Sequence, residues 1–549
     1  MRLIATGRLL PQFVAVLLCL AGCGGGGGGE AGGVAPPPPN PPPPTISSAD
    51  AARFLRQATF GPTSADVGRV KSLGYAAWID EQLALAPTLA FPYLGTLPVP
   101  ANAVEGQANR QDAWFRNAVT APDQLRQRVA FALSEIMVVS DRGALFEAPY
   151  GLAFYYDLLT QRAFGNFREL LEAVTLNPAM GVYLSMLGNE KPDTARNIRP
   201  DENYAREAMQ LFTIGLVELN LDGTEKLDGT GQPIPTYDQS VIEGFAHVYT
   251  GWTFAGSPAF HVPSFNFLAP MQAFPTFHAT GTKQLLSRQL PAGQTPQQDL
   301  EDALDDIFAH PNIAPFIAKQ LIQRLVTANP TPAYVLRVAR VFQNDGTGER
   351  GDLGAVVRAI LLDAEARDAP ANDASGKLTE PLMRLTGVWR AYGARAASGR
   401  YLLAYPEFSF AQAALRSPSV FNFFRPDYAP PGEITNRALV SPEMQITTET
   451  TTSSTNNFLA FAIFLRNSST AGLAADDIFI DIAAELGFAS NPATLVDRAA
   501  DRLLGGAISP GLRNETIAMV SLIPATETAF RVTEAVHAIA SSPEYAVVR

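Results

Sequence analysis

The sequence predicts a mainly all-α fold: one large multi-helix globular domain with long ordered loops and at most a few short strands. Apolar residues recur three to four positions apart along most of the chain, as at Leu125, Val129, Leu133 and Ile136. This is the period of a helix with one buried face. The alternation of apolar and polar residues that is typical of half-buried strands is not sustained anywhere in the sequence. Apolar residues make up 47% of the chain, which is enough for a large core.

The first 23 residues predict an export signal. Arg2 and Arg8 precede an apolar run at 11–20, and the sequence Leu-Ala-Gly-Cys follows at 20–23. A charged start, a short apolar stretch and small residues before a cut are typical of a secretory signal peptide. The last four residues also resemble the lipobox of bacterial lipoproteins. That resemblance implies lipidation of Cys23, and the glycine that follows it favours anchoring in the outer membrane, facing the periplasm or the cell surface.

Residues 24–46 predict a disordered tether. A run of glycines at 24–29 is followed by an almost unbroken proline run at 36–44. The first composition gives flexible coil and the second gives a stiff polyproline spacer. We expect the folded part, 47–549, to be a single large helical domain, and leave open a division into two lobes at 47–260 and 261–549.

Helix boundaries follow from capping residues and apolar period. The Thr63-Ser-Ala-Asp66 sequence resembles a capping box and predicts a helix that ends near Gly74. Trp78 should face the core from the next helix. The same signals predict helices at 51–57, 75–83, 124–139, 151–163, 167–174, 204–214, 240–249, 300–308, 313–326, 332–342, 353–362, 380–392, 494–504 and 513–521.

The segments between these helices are rich in Gly, Pro, Asn, Asp and Thr. Because long loops in compact domains are usually functional or disordered, and these contain aromatic residues, we interpret them as ordered loops over the helices. Short strands are expected near 252–267 and 402–410, and residues 447–457 are expected to form an exposed connector. The long loops are 186–202, 219–239, 252–297 and 404–446.

Charge and cysteine content exclude several functions. The formal net charge is −12, so the chain lacks the basic surface of a general nucleic-acid binder. Both cysteines, Cys19 and Cys23, lie in the signal region, which leaves no thiolate ligand or cysteine nucleophile in the body. With five histidines in total, a zinc site with several histidines is not expected. The sequence therefore predicts no metal site of this kind.

One helix presents a polar stripe that could carry chemistry. If a helix begins near Asp201, one face carries a polar stripe that consists of Asn203, Arg206, Glu207, Gln210 and Thr213. Glu202 and Arg206 are spaced i,i+4 in the favourable order for an ion pair. A catalytic interpretation makes Glu207 a general base, provided that burial or neighbours raise its pKa. The alternative is a structural network that ties the helix to the long loops.

Two further residues complete this candidate catalytic set. Asp238 precedes the predicted helix at 240–249, and His278 lies in a glycine-containing loop with Lys283. His278 and Lys283 together could hold an anion or orient a carboxylate. The catalytic hypothesis therefore comprises Glu202, Arg206, Glu207, Asp238 and His278.

One loop has a density of oxygen ligands that suggests calcium. Asn220, Asp222 and Asp228 surround a glycine in an arrangement that resembles part of a calcium-binding loop. The full spacing is not met, because Glu218 would occupy the first ligand position and Gly229 the last. Turns built by Asp-Gly are the simpler explanation, and calcium at this loop remains the alternative. We expect no other cofactor.

Seven motifs occur in order along the chain: Ala58-Thr-Phe-Gly-Pro62, Arg128-Val-Ala-Phe-Ala-Leu-Ser134, Asn177-Pro-Ala-Met180, Arg199-Pro-Asp-Glu-Asn-Tyr-Ala-Arg-Glu-Ala-Met-Gln-Leu-Phe-Thr-Ile-Gly215, Tyr249-Thr-Gly-Trp252, Lys377-Leu-x-Glu-Pro381 and Ser417-Pro-Ser-Val-Phe-Asn-Phe-Phe-Arg-Pro426. Together they resemble a known bacterial family, Domain of Unknown Function 1800. The resemblance covers residue 50 to the C-terminus. It implies an exported protein of a family without established activity, whose members are often encoded beside an exported family that resembles sulfatases and alkaline phosphatases.

Two functions are compatible with these observations. The first is a cell-envelope lipoprotein that binds or assembles an exported, hydrolase-like protein, with the membrane contacted only through its lipid. The second is an extracytoplasmic hydrolase with an Asp/Glu/Arg centre around the helix that contains Glu202 and Glu207.

Overall fold

The computed structural model describes residues 45–368 and 372–549, so the predicted signal peptide, Cys23 and almost all of the tether lie outside the described residues. Residues Ile46–Arg549 form one compact unit. Within the described chain, 25 α-helices and three two-stranded sheets confirm the mainly all-α prediction. None of the helices in these ranges has the length and apolar character needed to cross a bilayer.

The first half of the unit contains eleven α-helices and one 3₁₀ turn, Ala144–Glu147. Thr63 and Asp66 form the predicted capping box at the start of the second helix, and Trp78 is buried as expected. The helices are α1 (Ser48–Ala58), α2 (Ser64–Leu73), α3 (Tyr75–Ala84), α4 (Ala90–Leu94), α5 (Ala103–Thr120), α6 (Gln124–Ser134), α7 (Pro149–Arg162), α8 (Phe167–Thr175), α9 (Pro178–Tyr183), α10 (Asn203–Gln210) and α11 (Gln239–Val248).

The second half contains the remaining fourteen α-helices, two 3₁₀ turns (Pro275–Phe277 and Pro442–Gln445) and a π-helical turn, Phe461–Leu465. The helices are α12 (Pro296–Ala309), α13 (Ile313–Leu325), α14 (Pro332–Gln343), α15 (Leu353–Leu362), α16 (Ala364–Arg367), α17 (Pro381–Ala391), α18 (Glu407–Phe410), α19 (Glu433–Asn436), α20 (Glu449–Ala460), α21 (Ala483–Leu486), α22 (Pro492–Leu504), α23 (Pro510–Leu522), α24 (Thr528–Ala540) and α25 (Pro543–Ala546).

The strands are two residues long and pair antiparallel. β1 (Trp252–Thr253) pairs with β2 (Gln272–Ala273), which closes the base of a long loop. β3 (Lys283–Gln284) pairs with β4 (Gln289–Leu290), and β5 (Lys377–Leu378) pairs with β6 (Val547–Val548). The expected strand near 252–267 is therefore confirmed only at β1. Residues 402–410 contain the short helix α18 instead of a strand.

One extended core and two smaller apolar clusters lie inside the unit. α6 and α17 lie at the centre of the extended core, where every residue of both helices is buried. Around them pack α5, α7, α13 and α22, with α14 and α15 against α13. The connector expected at 447–457 is instead helical, because α20 covers most of this segment and buries Thr451 and Thr455. Its expected exposure is confirmed in part, since Thr448, Thr450 and Thr452 are exposed.

Candidate functional site

The polar stripe predicted on α10 is present. Arg206 Nη2 lies 2.9 Å from Glu202 Oε2, as the i,i+4 spacing predicts, and both side chains are partly exposed. Gln239 of α11 donates to the other oxygen of Glu202 at 2.9 Å. Glu202 therefore links the two helices at the surface. An exposed pair of this kind contributes little to stability.

Glu207 is in a different environment from its neighbours on α10. It is 7% exposed, and its Oε2 atom is buried without a hydrogen-bond partner among the described residues. Burial raises the pKa of Glu207 from its ordinary value, and the positive charge of Arg206 lowers it by less. The condition that the catalytic interpretation places on Glu207, a raised pKa, is met.

Two tyrosines lie within electrostatic range of Glu207. Burial and, to a smaller extent, the charge of Glu207 raise the pKa of Tyr237 to about 12. Burial also raises the pKa of Tyr183 to about 12, with the Ser417 side chain lowering it and Glu207 raising it. Glu207, Tyr183, Tyr237 and Ser417 thus form one neighbourhood, which we call the Glu207 cluster.

Asp238 and His278, the other members of the predicted set, have other partners. Asp238 caps α11, since its Oδ1 accepts from the backbone amides of Ser240 and Val241. A hydrogen bond from the Ser240 hydroxyl, together with these two amide bonds, lowers the pKa of Asp238 from its ordinary value. His278 is 1% exposed, and its Nε2 lies 2.8 Å from Asp299 Oδ2. The five residues therefore do not share one hydrogen-bonded centre.

Lys283 and Asp299 enclose His278 in a sealed cluster. Lys283 Nζ lies 2.6 Å from Asp299 Oδ2, and both side chains have no exposed surface. On its other side, His278 Nδ1 lies 2.9 Å from the carbonyl oxygen of Thr250. His278 and Lys283 lie together, as expected, because both contact the same oxygen of Asp299. Asp299 itself, on α12, was not predicted. The cluster holds the 278–283 loop against α12.

The proposed calcium loop forms turns stabilised by its own side chains. Asp222 Oδ1 accepts from the Thr224 amide at 3.0 Å and from its hydroxyl at 2.6 Å. Asp228 Oδ1 does the same with Thr230, at 2.7 Å in each case. Throughout 45–368 and 372–549, no group of three or more His, Cys, Asp or Glu residues has the geometry to hold a metal ion. Calcium at Asn220, Asp222 and Asp228 stays an untested prediction.

A larger cluster, not predicted from the sequence, lies at the centre of the core. Its members are charged or polar residues no more than 7% exposed, from α6 and its C-terminal end, from α13, from the segments before α17 and α20, and from the segment after α18. We call it the buried charge network: Arg128, Glu135, Arg324, Lys377, Glu380, Gln412 and Glu443.

The contacts of this network join carboxylates to cations and to one amide. Lys377 Nζ lies 2.9 Å from Glu443 Oε1, and Arg324 Nε lies 3.8 Å from Glu135 Oε2. Gln412 Nε2 donates to Glu380 at 2.6 Å and to Glu135 at 3.3 Å. Burial and the adjacent Glu380 raise the pKa of Glu135 well above its ordinary value. The network is closed to solvent, so it can position the core but cannot reach a substrate.

A sequence signal for the network existed. Arg128 and Lys377 begin two of the family motifs, and Glu380 belongs to the second of them. Ionisable residues inside otherwise apolar segments are rarely buried unless they are paired. These charges therefore indicate buried partners, but the sequence does not show which of them pair.

The segment 411–426 connects these clusters. Gln412 enters the buried charge network, and Arg416 Nε lies 2.7 Å from the buried Asp141. Ser417 belongs to the Glu207 cluster. Three non-glycine residues here adopt positive φ, namely Ala411 (52°), Leu415 (52°) and Asn422 (63°). Such backbone strain persists only where the surroundings enforce it, so the segment is held in place by its polar contacts.

A surface cleft, which we call the aromatic cleft, lies between α7, α9 and the loop that β1 and β2 close. Its volume is 730 Å³. Phe254 packs against Phe265 and Phe267, with ring centroids 5.8 and 5.0 Å apart. Phe265 is 69% exposed, and its φ is 54°. The lining residues are Ala144, Glu147, Ala148, Pro149, Tyr150, Gly151, Val182, Leu187, Phe254, Pro263, Phe265, Asn266, Phe267 and Leu268.

The loop that forms one wall of the cleft is ordered by its own bonds. Ser264 Oγ donates to the Ala255 carbonyl at 2.8 Å, and Asn266 Oδ1 accepts from the Leu268 amide at 3.0 Å. Gly151 of α7 allows the loop to approach, because a Cβ there would lie 2.7 Å from Phe267 Cβ. The expectation of an ordered loop that carries aromatic residues is therefore met here.

Comparison with known proteins gives one match. The sequence model of a family described as "Protein of unknown function (DUF1800)" matches residues 53–547. No curated protein and no solved structure matches the chain.

Proposed function

Because the chain belongs to the DUF1800 family, a family of proteins of unknown function, its role has to be argued from its own sites, and we propose that it is a binding protein of the cell envelope. The aromatic cleft receives an apolar segment of an exported partner protein. The single observation that carries this proposal is the exposure of Phe265 and Leu268 at the edge of the cleft.

The cleft has the size and chemistry of a binding site. Its 730 Å³ falls within the range of about 300–1,000 Å³ that is usual for ligand pockets. Of the described residues that line it, Glu147 is the only charged one. Phe265 and Leu268 are 69% and 45% exposed beside one another. Large exposed apolar residues that cluster in this way mark interaction sites, and the scarcity of charge favours an apolar occupant.

The ionisable clusters favour binding over catalysis. His278, Lys283 and Asp299 are at most 1% exposed, and the three glutamates of the buried charge network are at most 3% exposed. A general acid or base must come within hydrogen-bond reach of its substrate. Groups that are sealed and paired with one another stabilise the fold and hold the surface loops in place.

The cellular setting is proposed from the N-terminal sequence. A signal ending in Leu-Ala-Gly-Cys, with Cys23 lipidated and a Gly/Pro-rich tether after it, would hold the folded unit off the outer membrane. Several acyl chains give stable anchoring where one gives marginal binding. The partner that we propose is an exported sulfatase-like or alkaline-phosphatase-like protein, the class that the family resemblance implies.

Site-specific photocrosslinking in the native host tests this proposal. A photoreactive phenylalanine analogue replaces Phe265 in the full chain, and the crosslinked adduct is identified by mass spectrometry. The matched control carries the same analogue at Leu522 of α23, which is 87% exposed and does not line the cleft. We expect one adduct with an exported sulfatase-like or phosphatase-like protein from position 265 and none from position 522.

A second variant distinguishes binding from mere proximity. Phe265→Asp places a charge in the apolar cleft and should abolish co-purification of the crosslinked protein, whereas Leu522→Asp should leave it unchanged. Equal adducts from both positions, or no adduct at 265, would overturn the proposal.

A second candidate function rests on Glu207. Its raised pKa and its buried oxygen without a partner are properties of a catalytic acid or base. In this alternative the protein is an extracytoplasmic hydrolase, with Glu202 and Arg206 at the rim of the site. Assay of the full chain on a panel of ester, phosphate, sulfate and glycoside substrates tests it. Activity that survives Glu207→Gln would exclude the assignment.

A further inference from the structure

Another surface cleft lies beside α1, between that helix, the C-terminal end of α22 and the segment 543–549. We call it the arginine cleft, because Arg53, Arg56 and Arg549 line it. Its volume is 560 Å³, which falls within the range of about 300–1,000 Å³ that is usual for ligand pockets. The described residues that line it do not overlap with those of the aromatic cleft.

Arg56 is a half-buried cation in the wall of this cleft. Its Nη2 donates to the backbone oxygen of Tyr545 and, at 3.4 Å, to Thr379 Oγ1. Its Nε and Nη1 have no partner among the described residues, and no carboxylate there pairs with it. By contrast Arg531, which also lacks an acid, donates from all three of its nitrogens to backbone oxygens. Burial lowers the pKa of Arg56 from its ordinary value, as expected for a cation whose lost hydration is not replaced.

The two acids that line the cleft are bonded to other groups. Asp50 Oδ2 accepts from the Ser47 hydroxyl at 2.6 Å, and Asp50 Oδ1 lies 3.3 Å from Arg53 Nη2. Glu544 accepts from the backbone amide of Ser509 at 3.0 Å and also from its hydroxyl. Neither acid therefore neutralises Arg56.

Arg549 adds a second cation without an acid partner. It directly follows β6 and is exposed, and its side chain forms no ion pair within the described parts of the chain. The bond with Arg437 and, to a smaller extent, the charge of Arg549 lower the pKa of Asp373. Asp373 itself is bonded to both Nη atoms of Arg437, at 2.9 and 2.6 Å. Two guanidinium groups without acids in one cleft favour an anionic ligand.

The remainder of the wall is aliphatic. Leu504, Ala507, Pro543, Val547 and Val548 line it, and the described lining residues include no side-chain amide, hydroxyl or aromatic ring. A ligand with many polar groups would leave them unsatisfied here, at a cost in free energy. An alkyl chain has no such groups, and its contact with the aliphatic wall is favourable because both lose apolar surface to water.

We propose that the arginine cleft binds an amphiphilic anion, namely a carboxylate or phosphate at the end of an alkyl chain. The guanidinium groups of Arg56 and Arg549 bind the anionic head, because their planar forks of donors match either group. The alkyl chain lies along the aliphatic wall. A fatty acid and a lipid phosphate share this chemistry. The site goes beyond the proposed function, since it involves neither the aromatic cleft nor Glu207.

Calorimetric titration of the full chain with octanoate and with octyl phosphate tests the proposal and distinguishes the two sources. We expect at least one of them to bind. Octylammonium has a similar chain and the opposite charge, and acetate and inorganic phosphate have the head without the chain. These three should bind at least about tenfold more weakly. Binding of octylammonium as tight as that of the anions, or no binding of either amphiphilic anion, would overturn the proposal.

Two variants locate the binding. Arg56→Gln should weaken it about tenfold, because a half-buried charge-assisted bond is lost. Arg549→Gln should weaken it about threefold, because exposed ion pairs contribute less. Arg549 is exposed and has no described ion pair, so this variant should melt at the wild-type temperature.

The matched control is Arg69→Gln, which removes an exposed arginine that pairs with Glu81 and does not line the cleft. It should bind as the wild type does. Unchanged binding by either folded variant, Arg56→Gln or Arg549→Gln, would overturn the proposal.

Discussion

Replacement of Glu135 by glutamine is expected to remove a pH dependence from the free energy of unfolding. Glu135 ends α6 inside the buried charge network, where burial is the main cause of its raised pKa and the charge of Glu380 is the second. Because the pKa is raised in the folded protein, the folded state holds the proton of Glu135 more tightly than the unfolded state does.

The sign and the size of the effect follow from this difference in proton binding. At pH values below the ordinary pKa of 4.5, the carboxyl is protonated in both states and its contribution to stability is fully present. As the pH rises from 4.5 towards the folded-state pKa, only the unfolded chain loses the proton. The free energy of unfolding then falls by about 1.4 kcal/mol for each pH unit. Glutamine has no proton to lose, so the variant lacks this slope.

Urea-induced unfolding at a series of pH values measures the slope. Trp114 and Trp389, both buried in the core, report unfolding by their fluorescence. Carboxylates outside the buried charge network contribute equally to the wild type and the variant, so the difference between their two curves reports Glu135 together with its coupling to Glu380. Glu172→Gln, in the partly exposed ion pair with Arg168, is the control and should keep the wild-type slope.

Parallel curves for the wild type and Glu135→Gln would refute the reasoning. That result would mean that Glu135 is ionised in the folded protein. The network would then balance its three glutamates against the three cations Arg128, Arg324 and Lys377. Infrared spectroscopy supplies an independent check, because a protonated carboxyl has its own carbonyl band, which should disappear in the variant.

Three further predictions concern stability. Gly244→Ala should destabilise the protein by about 3 kcal/mol, because a Cβ there would lie 1.8 Å from the backbone oxygen of Gln284. Gly68→Ala, in an exposed helical position with open space around it, should instead stabilise by up to about 1 kcal/mol, as thermal unfolding of both variants would show. Asp299→Asn leaves the buried Lys283 without its anion and should cost roughly 3–5 kcal/mol in urea unfolding; a loss below 1 kcal/mol would mean that Lys283 is neutral or finds another partner.

Local signals in the sequence predicted much of the secondary structure. The capping box at Thr63 and Asp66, the i,i+4 pair of Glu202 and Arg206, and the burial of Trp78 all depend on residues within one or two turns of each other. Such short-range chemistry is readable without a structure. The raised pKa of Glu207, on which its catalytic role depends, could not be predicted from the sequence, because it results from burial by segments that are distant along the chain.

The longest helix that the sequence did not predict, α5, shows the limit of short-range sequence signals. α5 (Ala103–Thr120) buries twelve of its 18 residues, and these include Gln107, Arg110 and Asp112. Their partners are remote in sequence: Arg110 Nη2 bonds to Asp141 at 2.9 Å and Asp112 to Arg400 at 2.8 Å. Polar residues in the core hide the apolar period on which the prediction of helices rests. The buried charge network was missed for the same reason.

At 447–457 the error is of the opposite kind, because polar residues predicted a connector where the chain forms the helix α20. Its many Thr and Ser residues suggested exposure, but Ser454 and Thr455 donate to the backbone oxygen of Ser409 at 2.8 and 3.0 Å. Hydroxyl groups that satisfy a neighbouring backbone can lie inside a helix interface. Sequence alone gives no means of knowing that Ser409 is available to accept them.

The pairing of β5 with β6 determines when the molecule can complete its fold during synthesis. Leu378 pairs with Val547, and the Thr379 amide donates to the Ala546 carbonyl at 2.7 Å. α1, among the first segments of the unit to be made, contacts α22 and β6 and so packs against some of the last. α1 can therefore complete its packing only after the C-terminal residues have been made, although it also contacts the nearby helices α2 and α6. Contacts so distant in sequence slow folding, and a chain that lacks its last residues leaves the edge at Leu378 and part of α1 uncovered.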